Sequence, residues 1–229
     1  MKIFLSVGHS VLKNGNITSA NGVVNEYKYN KEMGAILADY LRKEGHTVDF
    51  IVCPERQFTS SKQEKTYKLG IENKGNYDLT VELHLNASVN KSAGGCECYY
   101  YSTNAKGKAY ADRVCKRLGT VFKNRGSKPY NSLYMVNGTK STCCYVEAFF
   151  CSNADDCNKG ADKKKVARLI AEGICDKNIT DAPQQTAKPA QTAPTGSYYR
   201  VQVGAFTNKA NAEKLAQELK NKGYDTIIK

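Results

Sequence analysis

A chain of 229 residues, 41% of them hydrophobic, is long enough for one medium domain with a small companion and can bury a real core. Its formal net charge of +12 points to a polyanionic partner such as acidic cell wall, nucleic acid or anionic membrane. No stretch reaches the roughly 18 apolar residues of a membrane span, and the apolar run Met1 to Val7 is followed at once by Gly8-His9 rather than by a cleavage site, so we expect synthesis in the cytoplasm without a signal peptide.

Residues 2–7 read as a buried strand, and a polar Gly/Asn loop runs from Gly8 to Asn25. Residues 26–44 carry Tyr29, Met33, Ile36, Leu37, Tyr40 and Leu41 at helical spacing, with Gly45 as the cap. A second strand is expected from His46 to Cys53, a helix from Ser60 to Asn73, a third strand from Asp78 to Leu85 and a fourth from Cys96 to Tyr101. Ala105 to Phe122 reads as a helix, Leu133–Val136 and Cys143–Phe150 as further strands, and Ala161–Cys175 as a last helix. Strands alternating with helices predict an α/β fold, a twisted, mostly parallel or mixed sheet with helices on both faces.

Residues 177–197 change character. Pro183, Pro189 and Pro194 in an Ala/Gln/Thr-rich run, with no apolar period, read as an extended linker between a domain at 1–176 and a segment at 198–229. In that segment Val201, Val203 and Ala205 alternate, Ala212, Leu215, Ala216 and Leu219 form a helical stripe, and Tyr224 to Ile228 returns as a strand, giving a small βαβ unit. The nine cysteines include pairs in apolar runs, as in Cys143-Cys144-Tyr145-Val146, and none has zinc-ribbon spacing, so they read as reduced thiols.

The chain has only three histidines. His9 and His84 each stand at or near the end of an apolar strand, where ligands gather in α/β sheets, and Glu26 opens the first long helix. Two imidazoles, one carboxylate and an open fourth position describe a catalytic zinc site. Read alone, either histidine is equally well a satisfied, partly buried imidazole; the joint placement favours the metal. His46, at a strand start, falls at the opposite end of the sheet and reads as structural. Glu147 ends an apolar run, where an ionised carboxylate is costly unless it meets a cation, either a lysine or a metal site.

These residues stand in blocks that resemble the zinc-dependent N-acetylmuramoyl-L-alanine amidases of autolysins and phage endolysins. The blocks are Gly8-His9, Glu26, the run Tyr77 to Ala87 around His84, Gly95-Cys96-Glu97 with Tyr99 to Tyr101, and Val146-Glu147-Ala148-Phe149-Phe150-Cys151-Ser152-Asn153. The resemblance covers residues 1–176. It implies Zn2+ on His9, Glu26 and His84, Glu147 as the catalytic acid–base, and substrate contacts from Asn86 and Asn153. The sequence departs from that pattern in three places: Ser6-Val7 replaces the usual Asp-Pro before Gly-His, Ser10 replaces a second Gly, and Glu82 stands where Ser is common.

The tail, from Tyr199-Arg200-Val201-Gln202 through Gly204-Ala205-Phe206, resembles the start of a SPOR domain, which implies glycan-strand contacts from Tyr199 and Gln202. SPOR domains contain two βαβ halves and this sequence shows one, so we expect one of three outcomes: a longer parent protein, docking of the half on the first domain, or pairing into a homodimer; a unit of about 30 residues rarely folds alone.

The implied activity is cleavage of peptidoglycan between N-acetylmuramic acid and L-alanine by a phage endolysin that meets the wall after release. A sporulation autolysin that lyses the mother cell and a non-catalytic peptidoglycan-binding protein are the alternatives, and a zinc carboxypeptidase is a fourth class. The sequence contains no basic-aromatic motif of the nucleic-acid-binding kind, so no nucleic-acid partner is expected.

Overall fold

Alternation along the first strand sets the layers. Ile3 and Leu5 enter one apolar cluster and Phe4 enters another. The computed structural model describes residues 1–180, 204, 208–221 and 226, in two compact units, Met1–Thr180 and Asp181–Lys229.

The first unit runs β1 (Lys2–Val7), α1 (Glu26–Lys43), β2 (Thr47–Ile51), α2 (Ser61–Gly75), β3 (Leu79–Asn86), β4 (Cys96–Tyr100), α3 (Ala105–Leu118), β5 (Asn124–Pro129), α4 (Tyr134–Gly138), β6 (Thr142–Phe150), α5 (Ala154–Lys159) and α6 (Lys163–Cys175). The six strands form one sheet in the order β2-β1-β3-β6-β4-β5. All neighbours are parallel except β4 and β6, which are antiparallel. The expected α/β architecture with a mostly parallel sheet and helices on both faces is thus present.

One face of the sheet is apolar in the ordinary way. Leu79, Val81, Leu83 and Leu85 of β3 meet Met33, Leu37 and Leu41 of α1 and Val166, Ile170 and Ile174 of α6 in a single buried cluster. Burying each such side chain contributes roughly 1.5–3 kcal/mol.

The other face differs. Its apolar cluster is small, with Phe4, Met135, Val136, Cys143 and Tyr145 at its centre. The residues that α2 buries are Glu64, Lys68 and Glu72. Spaced four apart, they share one side of the helix, and each meets a polar partner. Glu72 accepts from Thr80 and Ser141, Lys68 bonds to Glu82 and to the Val7 carbonyl, and Glu64 accepts from Ser10 and Thr18. A buried charge without such partners costs several kcal/mol, so this helix and the strands beneath it form a matched polar layer.

Three elements differ from the sequence expectation. Leu133–Val136, expected as a strand, enters the short helix α4, which begins at Tyr134. A run this short does not fix its own period, and β6 already has β3 and β4 on its two edges, leaving no partner for another strand there. The strand β5 was not expected because Asn124–Pro129 is polar and unpatterned; it is an edge strand paired only with β4 and ends at Pro129, as edge strands tolerate. The helix α5 is the third, started by the Asn153 side chain, which accepts from the Asp156 amide.

All nine cysteines are free thiols, eight of them buried. Among the described residues, no helix is long and apolar enough to cross a membrane. The second unit contains α7 (Lys209–Asn221), whose stripe Ala212, Leu215, Ala216 and Leu219 is half-buried while the rest of the helix is exposed. Most of the expected linker, both expected tail strands for the most part, and Tyr199 and Gln202 lie outside the described residues.

Candidate metal centre

Three separate elements bring His9, Glu26 and His84 together. His9 follows β1 after Gly8. Glu26 is the first residue of α1, where the Asn25 side chain caps the helix by accepting from the Lys28 amide at 3.0 Å. His84 lies on β3, on the polar face. Glu26 Oε1 stands 2.9 Å from His84 Nδ1 and 3.2 Å from His9 Nε2. It also accepts from the Leu85 amide at 3.1 Å, while its other oxygen accepts from the Ala20 amide at 3.1 Å. The three candidate ligand atoms all lie within 4.8 Å of one another. Ligands about 2.0–2.2 Å from a tetrahedral ion stand a little over 3 Å apart, so the two Glu26 separations are close to those of a divalent cation site, and the donor chemistry suits one.

The histidines are held from several sides. The His84 ring stacks on Tyr145 at 4.4 Å between centroids and meets the His9 ring edge-on at 4.8 Å. His9 has a φ of 68°, a left-handed conformation that costs a non-glycine residue about 1 kcal/mol or more. Hydrogen bonds on both sides hold it there, from the Gly8 amide to the Leu83 carbonyl at 2.9 Å and from the Ser10 amide to Thr18 Oγ1 at 3.1 Å.

Glu147 faces the same space. It is the register partner of His84 across the β3–β6 pair, so both side chains project from one face. Its Oε2 is buried and has no hydrogen-bond partner. Burial pushes the Glu147 carboxyl up to about 8; the cationic tendency of His84 opposes this, and the charges of Glu26 and Glu97 add to it. Neighbouring Glu26 goes the other way. Burial alone would raise it, but its hydrogen bonds with His84 and His9 hold it well below the usual carboxylate range. Burial would likewise lower His84, yet its contacts with Glu26 and Glu82 lift it to about 9. A buried anion flanked by two imidazoles, opposite a protonatable carboxyl, is an arrangement suited to a cation and to proton transfer.

Asn86 and Asn153, expected at the substrate, are half-buried, and their side chains are already hydrogen-bonded. Asn86 donates through Nδ2 to Glu97, and its Oδ1 accepts from the Ala87 amide. Asn153 caps α5 through Oδ1 and donates through Nδ2 to the Lys91 carbonyl at 2.9 Å. His46 lies at the start of β2, near the N-terminal amine and Cys175, away from the cluster.

The partners of two groups around the site, Glu97 and Glu82, are not read from the sequence, where Glu97 is one residue of a block and Glu82 a departure from the family pattern. Glu97, opposite Glu147 in the β4–β6 register, collects Arg125, Lys128, Tyr99 and Asn86. Glu82 sits beneath His84 with Lys68 and Ser6. The one available signal for the second group was the spacing of Glu64, Lys68 and Glu72 on a helix with few apolar residues.

The sequence profile of the N-acetylmuramoyl-L-alanine amidase family Amidase_3 matches residues 3–176, and that of the SPOR domain matches residues 184–229. Among solved structures, the catalytic domain of the CD27L endolysin targeting Clostridia Difficile is 53% identical, with a TM-score of 0.75 over 79% of this chain and 99% of that one. An uncharacterized protein of Clostridium perfringens is 29% identical over 79% of this chain, which spans about half (53%) of that relative's length. The N-acetylmuramoyl-L-alanine amidase CwlM of Bacillus licheniformis is 28% identical over 100% of this chain and 84% of its own length. With most of its length matched to one family model, this chain belongs to the Amidase_3 family of N-acetylmuramoyl-L-alanine amidases and carries a SPOR domain behind it.

Proposed function

We propose that this chain is a zinc-dependent amidase that hydrolyses the bond between the lactyl group of N-acetylmuramic acid and L-alanine in peptidoglycan, as a phage endolysin does. The observation that carries the reading is the convergence of His9, Glu26 and His84 on one point, with the unpartnered carboxyl oxygen of Glu147 opposite. The identity with an endolysin catalytic domain supports the lytic setting.

His9, Glu26 and His84 would hold the zinc ion, which when bound supplies Lewis acidity toward the scissile carbonyl and toward water. Glu147 does the proton work. Its buried Oε2 takes a proton from the attacking water as the new C–O bond forms, then returns it to the alanine nitrogen as the C–N bond breaks. A carboxyl already raised toward neutrality is suited to both halves of that exchange. Asn86 and Asn153 shape the rim that receives the sugar and the stem peptide, through their bonds to Glu97 and to the Lys91 carbonyl.

In this reading residues 1–176 carry the chemistry, 177–197 are a tether, and 198–229 bind glycan strands through Tyr199 and Gln202. The half-covered stripe of α7 pairs two chains. A monomeric mass by light scattering at high concentration would remove the pairing.

Product analysis on purified peptidoglycan tests the activity. Wild-type protein should release new N-terminal alanine amines without new reducing sugars, and Glu147→Ala should release none. Cleavage further along the stem peptide would indicate a peptidase instead. Absence of release from several wall types, with zinc bound, would leave a wall-binding protein.

A further inference from the structure

Each candidate metal histidine has a second ring nitrogen turned away from Glu26, and both of these nitrogens lead back to α2. For His9 the path is Nδ1 to Thr18 Oγ1 at 3.4 Å, then Thr18 Oγ1 to Glu64 Oε1 at 2.9 Å. For His84 the path is Nε2 to Glu82 Oε1 at 3.5 Å, with Glu82 gripped by the Lys68 ammonium and the Ser6 hydroxyl. Glu64, Lys68 and Glu82 are all at most 2% exposed.

The donor and acceptor inventory fixes the proton positions along both paths. A carboxylate only accepts hydrogen bonds. The single proton of the Thr18 hydroxyl is therefore given to Glu64, and the Thr18 oxygen can only accept from His9. That places a hydrogen on Nδ1 of His9. Glu82, also a pure acceptor, favours a hydrogen on Nε2 of His84. The two histidines are thereby set in opposite tautomers. The nitrogens left over to face an ion are Nε2 of His9 and Nδ1 of His84, the two atoms that stand 3.2 and 2.9 Å from Glu26 Oε1 and give up their hydrogen bonds to it when an ion binds.

We propose that the buried polar stripe of α2 is a positioning device for the metal centre: Glu64 acting through Thr18, and Lys68 acting through Glu82, dictate which nitrogen each histidine presents to the ion. Partners of this outer kind orient the ring of a metal-bound histidine, and their loss typically lowers metal affinity about 10- to 100-fold. The arrangement accounts for a helix that buries charges where apolar residues would pack with less desolvation cost. It rests on the reading of His9, Glu26 and His84 as metal ligands.

The test uses the full chain with 15N-labelled histidine, loaded with 113Cd2+ and followed by NMR. Scalar coupling from cadmium to Nε2 of His9 and to Nδ1 of His84 is expected. Thr18→Val should weaken cadmium binding about 10- to 100-fold and reduce the cadmium coupling to Nε2 of His9, and Thr18→Ser should restore both. Because Glu82→Gln alone strands a buried lysine, the pair is removed together in Glu82→Gln/Lys68→Met, which should fold yet bind cadmium more weakly, with reduced cadmium coupling to Nδ1 of His84. Coupling through Nδ1 of His9 or Nε2 of His84 overturns the proposal, as does wild-type affinity in both Thr18→Val and the double variant. A wild-type chain that binds no cadmium overturns the metal reading itself, and this proposal with it.

Discussion

Gly8 and His84 occupy one space: a methyl group added to Gly8 would lie 2.0 Å from Cε1 of the His84 ring. The glycine before His9 is there to admit the second histidine, and the two strands β1 and β3 can bring both rings to Glu26 only because position 8 has no side chain. Gly8→Ala is expected to displace the His84 ring, to destabilise the protein by about 1–3 kcal/mol as an overpacked site, and to abolish stoichiometric zinc. Denaturant titration and metal analysis on the same preparation check both effects. A variant that retains bound zinc and full stability would contradict the geometry.

Glu147→Gln should separate binding from chemistry. The amide keeps the volume of the carboxyl and loses the proton acceptor, so zinc content should match wild type while turnover falls roughly 10²- to 10⁴-fold. His9→Ala should do the reverse, losing the metal first and the activity as a consequence. Parallel measurement of zinc stoichiometry and alanine release distinguishes the two.

In protein stripped of metal by a chelator, stability should decline as pH rises from about 5 toward 9. Glu147 has an ordinary value of 4.5 and a folded value of about 8, so between these the unfolded chain is ionised while the folded one still holds the proton. Stability then falls with pH, by at most about 1.4 kcal/mol per pH unit from a single group. His84, raised from 6.5 to about 9, adds in the same direction: its contribution is full below 6.5 and is lost as pH rises through 9. In Glu147→Gln the decline should begin only above about 6.5, where the imidazole starts to differ between the two states. Urea melts across this range measure it, and an unchanged profile in the variant would remove Glu147 as the cause.

The thiols should be inert in the folded state. Eight of the nine cysteines are buried, and burial pushes Cys53 and Cys96 up to about 12 and Cys151 and Cys175 up to about 11, so little thiolate forms near neutral pH. Reaction with a thiol reagent should be confined to the half-exposed Cys175 in native protein and should reach all nine after denaturation. Rapid native reaction of several cysteines would show the core to be open.

The sequence by itself was sufficient for what is written locally. The apolar stripe of α1, the strands β1 and β3, the Gly8-His9 and His84 blocks and Glu26 at a helix start are all periodic or punctuated features; they mark His9, Glu26 and His84 as one candidate ligand set, and the resemblance of their blocks names the family. What only the tertiary structure decided depends on register and burial. Parallel pairing sets Ser6 directly opposite Glu82, so two of the departures from the family pattern, at positions 6 and 82, are a single bonded pair. Nothing in either strand alone relates residues so far apart in the chain. The sequence of α2 does not say that Glu64, Lys68 and Glu72 are buried; packing against the sheet decides that. The edge strand β5 and the short helix α4 likewise owe their form to which sheet edges were open and which were taken. A side chain's chemistry travels with the sequence, but its partners, and hence its proton and its role, are chosen by the fold.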